Sequence, residues 1–261
     1  MKKLGFIGLG NMGRAICSGL INAQAVNADD VYGYAPHADK LNAYARETGI
    51  HACASAKEVV ENCDTVLIAV KPYVIEGVLK EIRSALAGKA LLSVALGYNC
   101  EKLTKLVDAT TRVQFIMPNT PALVGAGVLL FEAENTLNAD ERDEIMRRFA
   151  VLGIVEELPA HLMGIGGAIS GCGPAFCAMA IEALADAGVK YGLPRATAYR
   201  LSSGVLAGTG EMQLKTGQHP AVIKDGVCSP AGSTIRGVEA LEKQGLRMAM
   251  IEAINATMKH D

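Results

Sequence analysis

The 261-residue sequence lacks the marks of several broad classes of protein. It has no basic run: 25 lysines and arginines are interspersed with 27 acidic residues, for a formal net charge of −2. A phosphate-backbone partner is met by a basic patch or stripe, so nucleic acid is not an expected ligand. Cysteine is present but unpatterned. Cys17, Cys53, Cys63, Cys100, Cys172, Cys177 and Cys228 are odd in number, contain no C-x-x-C pair and form no ligand cluster with the five histidines. No metal site is expected, and reduced thiols in a cytoplasmic protein fit this usage. A signal peptide is also missing, because Met1-Lys2-Lys3 leads into a short apolar strand and glycines rather than a cleavage-type segment. One uncharged stretch, Leu162 to Ile181, is about long enough to cross a bilayer. Gly166-Gly167 and Gly171-Cys172-Gly173-Pro174 interrupt it, so it reads as two buried helical pieces joined by a Gly/Pro turn, with no membrane partner.

What is present is apolar residue, 50% of the chain, enough for one large domain or two modest ones. From Lys3 to about Met117, short apolar runs alternate with helical periodicity, the pattern of βαβ units on a mostly parallel sheet. The runs are Leu4 to Gly8, Val31 to Tyr34, Thr65 to Val70, Ala90 to Val94 and Val113 to Met117. A further run, Val128 to Phe131, precedes Asn138-Ala139-Asp140-Glu141, a capping box that opens a helix through Leu152, and Ile154 to Glu157 completes the sheet. Beyond Pro159 no strand signal persists. Ala-rich helices are expected at about Pro174–Lys190, Pro194–Lys215, Pro230–Lys243 and Leu246–Lys259. The expectation is an α/β Rossmann-like dinucleotide domain over residues 1–159 and an all-α domain over 160–261. The helices of the latter are apolar on more than one face, which points to a homo-oligomer built through this region, with a tightly packed monomeric bundle as the alternative.

Gly8-Leu9-Gly10-Asn11-Met12-Gly13 is a G-x-G-x-x-G between an expected strand and an expected helix, the context in which this motif holds a dinucleotide pyrophosphate. The second strand ends in Tyr34-Ala35-Pro36-His37, with no acid until Asp39. An acid there would bond the ribose 2′-hydroxyl and repel a 2′-phosphate. NADPH is therefore favoured, with NADH as the alternative; His37 and Lys40 either meet the 2′-phosphate or are solvated. Two further loops follow strand ends where open α/β sheets place ligands: Ala69-Val70-Lys71-Pro72 and Met117-Pro118-Asn119-Thr120-Pro121. Lys71 is either catalytic or a solvated loop end.

In the C-terminal third, Ser170-Gly171-Cys172-Gly173-Pro174-Ala175 is a glycine-rich turn at a helix start. Lys224 to Thr234 ends by opening another helix, with Ser229 suited to the N-cap and Pro230 to the first helical position. Such a hydroxyl-lined helix start binds a carboxylate well; an ordinary capped helix is the alternative.

Together and in this order, Gly8 to Gly13, Val70-Lys71-Pro72, Met117 to Ala122, Ser170 to Ala175 and Pro220 to Thr234 resemble the pyrroline-5-carboxylate reductase family along essentially the whole chain. The resemblance implies hydride transfer from NAD(P)H to the C=N carbon of 1-pyrroline-5-carboxylate, the last step of proline synthesis. It places Thr234 at the ring nitrogen, and Ser229, Gly232, Ser233 and Thr234 around the substrate carboxylate. Asn119, Thr120 and Pro121 fall beside the nicotinamide, and Lys71 and Pro72 in a cofactor-contacting loop. It also implies C-terminal helices intertwined in a dimer. The sequence departs from the family at Ala231, where a glycine pair is usual, at Ser233, which varies, and at Tyr34-Ala35-Pro36, where a polar residue is usual. A methyl at position 231, in the first helical turn, is expected to be sterically mild.

Three other readings compete. A β-hydroxyacid dehydrogenase shares the opening Gly5-to-Gly13 motif but uses a lysine within a helix of its second domain, whereas Lys190 and Lys215 lie near helix ends. An imine reductase shares the architecture without the carboxylate turn. A non-catalytic NADP-binding protein would have no need of the Ser229 and Thr234 hydroxyls.

Overall fold

A computed structural model describes residues 3–259; Met1 and Lys2, read above with the first strand, lie outside the described residues. The chain forms two compact units, one ending at Gly171 and the other starting at Cys172. In the first unit β1 (Leu4–Ile7), α1 (Asn11–Asn22), β2 (Val31–Tyr34), α2 (Ala38–Thr48), β3 (His51–Ala52), α3 (Ala56–Asn62), β4 (Thr65–Ile68) and α4 (Ile75–Ile82) follow in order. Then come β5 (Ala90–Ser93), α5 (Cys100–Leu106), β6 (Arg112–Met117), β7 (Gly127–Glu132), α6 (Ala139–Phe149), β8 (Gly153–Leu158) and α7 (Ala160–Gly167).

The eight strands form one sheet in the order β3-β2-β1-β4-β5-β6-β7-β8, parallel throughout except between β6 and β7. The strand order reverses between β1 and β4, so the chain leaves these neighbours toward opposite faces and opens a crevice at their carboxyl ends.

Alternation along the strands builds a core on each face. Leu4 and Phe6 of β1 pack with Ile16 and Leu20 of α1 and Tyr44 of α2, while Ile7 packs with Val59 of α3 and Leu79 of α4. The starts of α3, α5 and α6 are fixed by side chains that satisfy first-turn N–H groups. Ser55 Oγ accepts from Glu58 N at 3.1 Å, and Asn99 Oδ1 from Lys102 N at 3.0 Å. The expected capping box at Asn138 and Glu141 is present, with Glu141 N donating to Asn138 Oδ1 at 2.9 Å. Its helix ends at Phe149, and a 3-10 turn carries the chain on to Leu152. The two-residue β3 was too short to leave a pattern in the sequence. Helix α7, which opens where the composition changes, packs against β7 and β8.

The second unit comprises α8 (Gly173–Lys190), α9 (Arg195–Thr216), α10 (Pro220–Val227), α11 (Ser233–Lys243) and α12 (Leu246–Met258). Two expectations are corrected. Leu162 to Ile181 contains no turn: a π-helical segment, Ala168–Cys172, connects α7 to α8. A wide π turn absorbs a proline that an α-helix interior would reject, so Pro174 enters helix without breaking it. Nor is the whole stretch buried: Met163, Ala168 and Ser170 are enclosed, but Ala185 is the only buried residue of α8. The helix expected from Pro230 starts instead at Ser233, and α10 was not anticipated.

Candidate active site

The turn after β1 uses each glycine differently. Gly8 sits at φ 96°, where a Cβ would stand 2.7 Å from the Ala69 carbonyl oxygen, and its N–H continues the sheet by donating to Tyr34 O at 2.8 Å. Gly13 brings α1 against the turn, since a Cβ there would meet Gly8 O at 2.1 Å. Gly10 has nothing within 4 Å of its Cβ position and caps α1 without a side-chain hydrogen bond. Asn11 and Gly10 are exposed, Met12 is half-buried and Leu9 is buried under the turn. The first turn of α1 carries no acid and the space at the Gly10 Cβ position is open, so its N–H groups and positive dipole end can receive an anion.

Beyond Tyr34 the loop Ala35-Pro36-His37 leads into α2, whose N-cap His37 makes no side-chain cap bond. Arg14, in the first turn after Gly13, binds both sides of this region. Its Nε donates to Leu9 O at 2.9 Å and its Nη2 to Lys40 O at 3.1 Å, with the guanidinium carbon 4.8 Å from the centre of the Tyr44 ring. Tyr44 is held by Ser18 Oγ at 2.7 Å, and burial pushes its phenol well above the usual tyrosine range. Arg14 went unremarked in the sequence because its partners are backbone carbonyls, which leave no residue-type signal.

At the end of β4, Ala69 N donates to Ile7 O at 2.8 Å, Val70 packs on the core, and Lys71 and Pro72 are exposed at the start of a 3-10 turn. After β6, Asn119 is buried and its amide is committed on both sides. Nδ2 donates to Ser170 O and Oδ1 accepts from Val128 N, each at 2.9 Å. Thr120 is exposed and Pro121 half-buried in the 3-10 turn that follows. The motif Ser170 to Ala175 thus contributes to the first unit through the carbonyl of Ser170.

In the second unit Ser229, Gly232, Ser233 and Thr234 gather at the mouth of α11. Gly232 N donates to Ser229 O at 3.0 Å, closing a turn with Pro230 second and Ala231 third at φ 58°. This is the type II arrangement, which favours glycine at the third place. Ser229 is therefore a turn residue and not the N-cap, a place taken by Gly232. Ala231 is not sterically mild as expected: its methyl sits on left-handed backbone. A Cβ on Gly232 would stand 2.4 Å from Ser229 Oγ, so the hydroxyl lies against the helix start. No side chain caps α11, and Thr234 is exposed in its first turn. First-turn N–H groups without a side-chain cap, with a hydroxyl beside them, can donate hydrogen bonds to a small anion.

Comparison with known proteins decides between the readings. A family model described as pyrroline-5-carboxylate reductase dimerisation matches residues 160–261, and one described as NADP oxidoreductase, coenzyme F420-dependent, matches residues 3–97. The chain is 45% identical over 259 residues to the pyrroline-5-carboxylate reductase of Treponema pallidum (strain Nichols), covering 98% of each. It belongs to the pyrroline-5-carboxylate reductase family. Among solved structures it is similar to the Plasmodium falciparum pyrroline carboxylate reductase with NADP bound, at 35% identity and a TM-score of 0.86, covering 98% of this chain and 95% of that one. The reductase from Coxiella burnetii gives 30% identity and a TM-score of 0.90, with 98% and 96% covered.

Membership gives the exposed apolar side chains of the helical unit a role. Leu184, Val205 and Met248, each more than half exposed, lie in the segment matched by the dimerisation model, so self-association runs through this region. The same holds for the helix Ala160–Lys190, which has the length and apolarity of a membrane span but falls within that segment.

Proposed function

We propose that this chain reduces 1-pyrroline-5-carboxylate to L-proline with NADPH as the preferred cofactor and NADH as a poorer one. The observation that supports the reading is the turn from Ser229 to Thr234, where a helix start without a side-chain cap lies beside the hydroxyls of Ser229, Ser233 and Thr234, a setting suited to a small carboxylate.

The bound nicotinamide supplies the hydride to the C=N carbon. The protein supplies placement and charge. First-turn N–H groups of α11 and the Ser229 hydroxyl hold the substrate carboxylate. Thr234 meets the ring nitrogen. A hydroxyl is a poor general acid by pKa, so Thr234 orients an already protonated iminium or relays a proton from water. Gly8 to Gly13 receive the pyrophosphate, with Tyr34, Ala35 and His37 on the ribose side. Ala69 to Pro72 and Asn119 to Pro121 line the crevice toward the nicotinamide. Since the Asn119 side chain is already committed to protein partners, its part is to hold that loop. The seven free thiols support a cytoplasmic location, and the domain division proposed is 1–159 and 160–261.

The test is cofactor oxidation, followed by absorbance, with purified protein, pyrroline-5-carboxylate and NADPH or NADH in parallel. Turnover faster with NADPH is expected, and Thr234→Ala is expected to lower kcat far more than it weakens cofactor binding. Folded protein that binds NADPH yet reduces no pyrroline-5-carboxylate would overturn the reading.

A further inference from the structure

We infer that Arg14 is the specificity-determining cation for the cofactor's 2′-phosphate, fixed by two backbone carbonyls at the junction of β2 and α2. The inference rests on the NADPH reading above and assigns it to one side chain. In this fold the adenosine ribose lies beyond the end of the second strand, where an acid selects NAD and a nearby arginine accommodates the additional phosphate. The chain has no acid from Tyr34 to Ala38, which removes repulsion without adding attraction. No arginine lies in that loop either, and His37 and Lys40 have exposed side chains.

Arg14 reaches the junction from α1. Its bond to Lys40 O places the guanidinium at the first turn of α2, and its bond to Leu9 O places it beneath the glycine-rich turn. The cation is therefore held between the two segments that flank the ribose. Tyr44, clamped by Ser18, gives it a rigid floor. Two of the five guanidinium N–H groups are used in these bonds, and among the described residues Nη1 makes no hydrogen bond, which leaves its donors for a phosphate. Among the described residues no carboxylate forms an ion pair with Arg14, so its charge is not already neutralised. A guanidinium fixed in this way loses less side-chain entropy on binding than an exposed lysine would, and its fork matches two phosphate oxygens.

The proposal is tested by calorimetry with two fragments that need no turnover: adenosine 2′,5′-bisphosphate and 5′-AMP. Wild-type protein is expected to bind the bisphosphate more tightly. Arg14→Gln, which keeps an amide donor near the carbonyls and removes the charge, is expected to weaken the bisphosphate about tenfold or more while changing 5′-AMP little. Arg14→Lys, with charge but no fork, should fall between. An equal loss for both fragments would make Arg14 only a brace between α1 and α2, and a preference that survives Arg14→Gln would place phosphate recognition elsewhere. Either result overturns the inference. Wild-type protein without preference between the fragments would instead remove the NADPH reading. Urea midpoints of the variants, measured alongside, separate lost fold from lost recognition.

Discussion

Asn119 and Ser170 are joined across 51 residues of sequence: Nδ2 of Asn119 donates to the Ser170 carbonyl at 2.9 Å. The α-helical donor to that carbonyl would be the N–H of residue 174, which is a proline. The asparagine supplies a donor in place of the N–H that Pro174 lacks, and its Oδ1 accepts from Val128 N at the start of β7. One amide thus ties the loop after β6, the π turn and a strand together.

Replacing Asn119 should therefore damage stability before chemistry. Asn119→Asp keeps the acceptor for Val128 but turns an oxygen toward the Ser170 carbonyl. A buried group left without its partner costs about 1–3 kcal/mol, more when charged. The urea midpoint should fall by that amount, with Asn119→Ala comparable. KM for the cofactor should rise as the Thr120-Pro121 turn loosens. An unchanged midpoint would mean that this amide holds nothing.

The glycine-rich turn separates two effects that are usually confounded. At Gly13 a Cβ would meet the backbone oxygen of Gly8, so Gly13→Ala must push α1 off the turn and should lower both stability and dinucleotide affinity. Gly10 has ordinary backbone angles and open space around its Cβ position. Gly10→Ala should fold as well as wild type, yet bind NADPH about tenfold or more weakly, because the methyl occupies the path of the pyrophosphate. Thermal denaturation with and without NADPH reads both quantities.

The βαβ half of this architecture was legible because every central strand is an apolar run separated from the next by helical periodicity, with a capping box at Asn138 and Glu141 marking the start of α6. The failures have physical causes. Ser229-Pro230 satisfies the rules for an N-cap with proline at the first helical position, and equally those for a type II turn; only the φ of Ala231 and the Gly232-to-Ser229 bond distinguish them. Gly171 to Pro174 reads as a break because local rules do not foresee a π turn made tolerable by a distant asparagine. Arg14 and Asn119 both act on backbone carbonyls, which no residue pattern announces.

The substrate turn carries a strain that a single substitution can remove. Ala231 holds a φ of 58°, a region that costs an L-residue roughly 1 kcal/mol or more. Ala231→Gly should raise the melting temperature by a few degrees, corresponding to about 1 kcal/mol, with KM for pyrroline-5-carboxylate little changed. Gly232→Ala should do the reverse. Its Cβ collides with Ser229 Oγ, so KM should rise while NADPH binding is retained. A drop in stability for Ala231→Gly would show that the methyl makes a contact worth more than the strain.

The acid stability of the first unit should depend on Arg112 and Glu141. The guanidinium grips the carboxylate in two bonds, Nε to Oε2 at 2.6 Å and Nη2 to Oε1 at 2.7 Å, with both side chains less than one third exposed. The hydrogen bonds to Arg112 hold the Glu141 carboxyl below its ordinary 4.5, against a smaller opposing effect of burial. A carboxyl whose pKa is lowered by folding adds stability above its unfolded value, and that stability is lost as pH falls through the folded value. Glu141→Gln should therefore be less stable than wild type by about 1 kcal/mol at neutral pH. The gap should close below pH 4.5, where wild-type protein progressively loses the ionised pair. Urea denaturation of both proteins across that range, at matched protein concentration, reads it directly. A gap that stays constant with pH would locate the loss in the capping box, where the Glu141 side chain also accepts from Asn138 N, rather than in the charge of the pair.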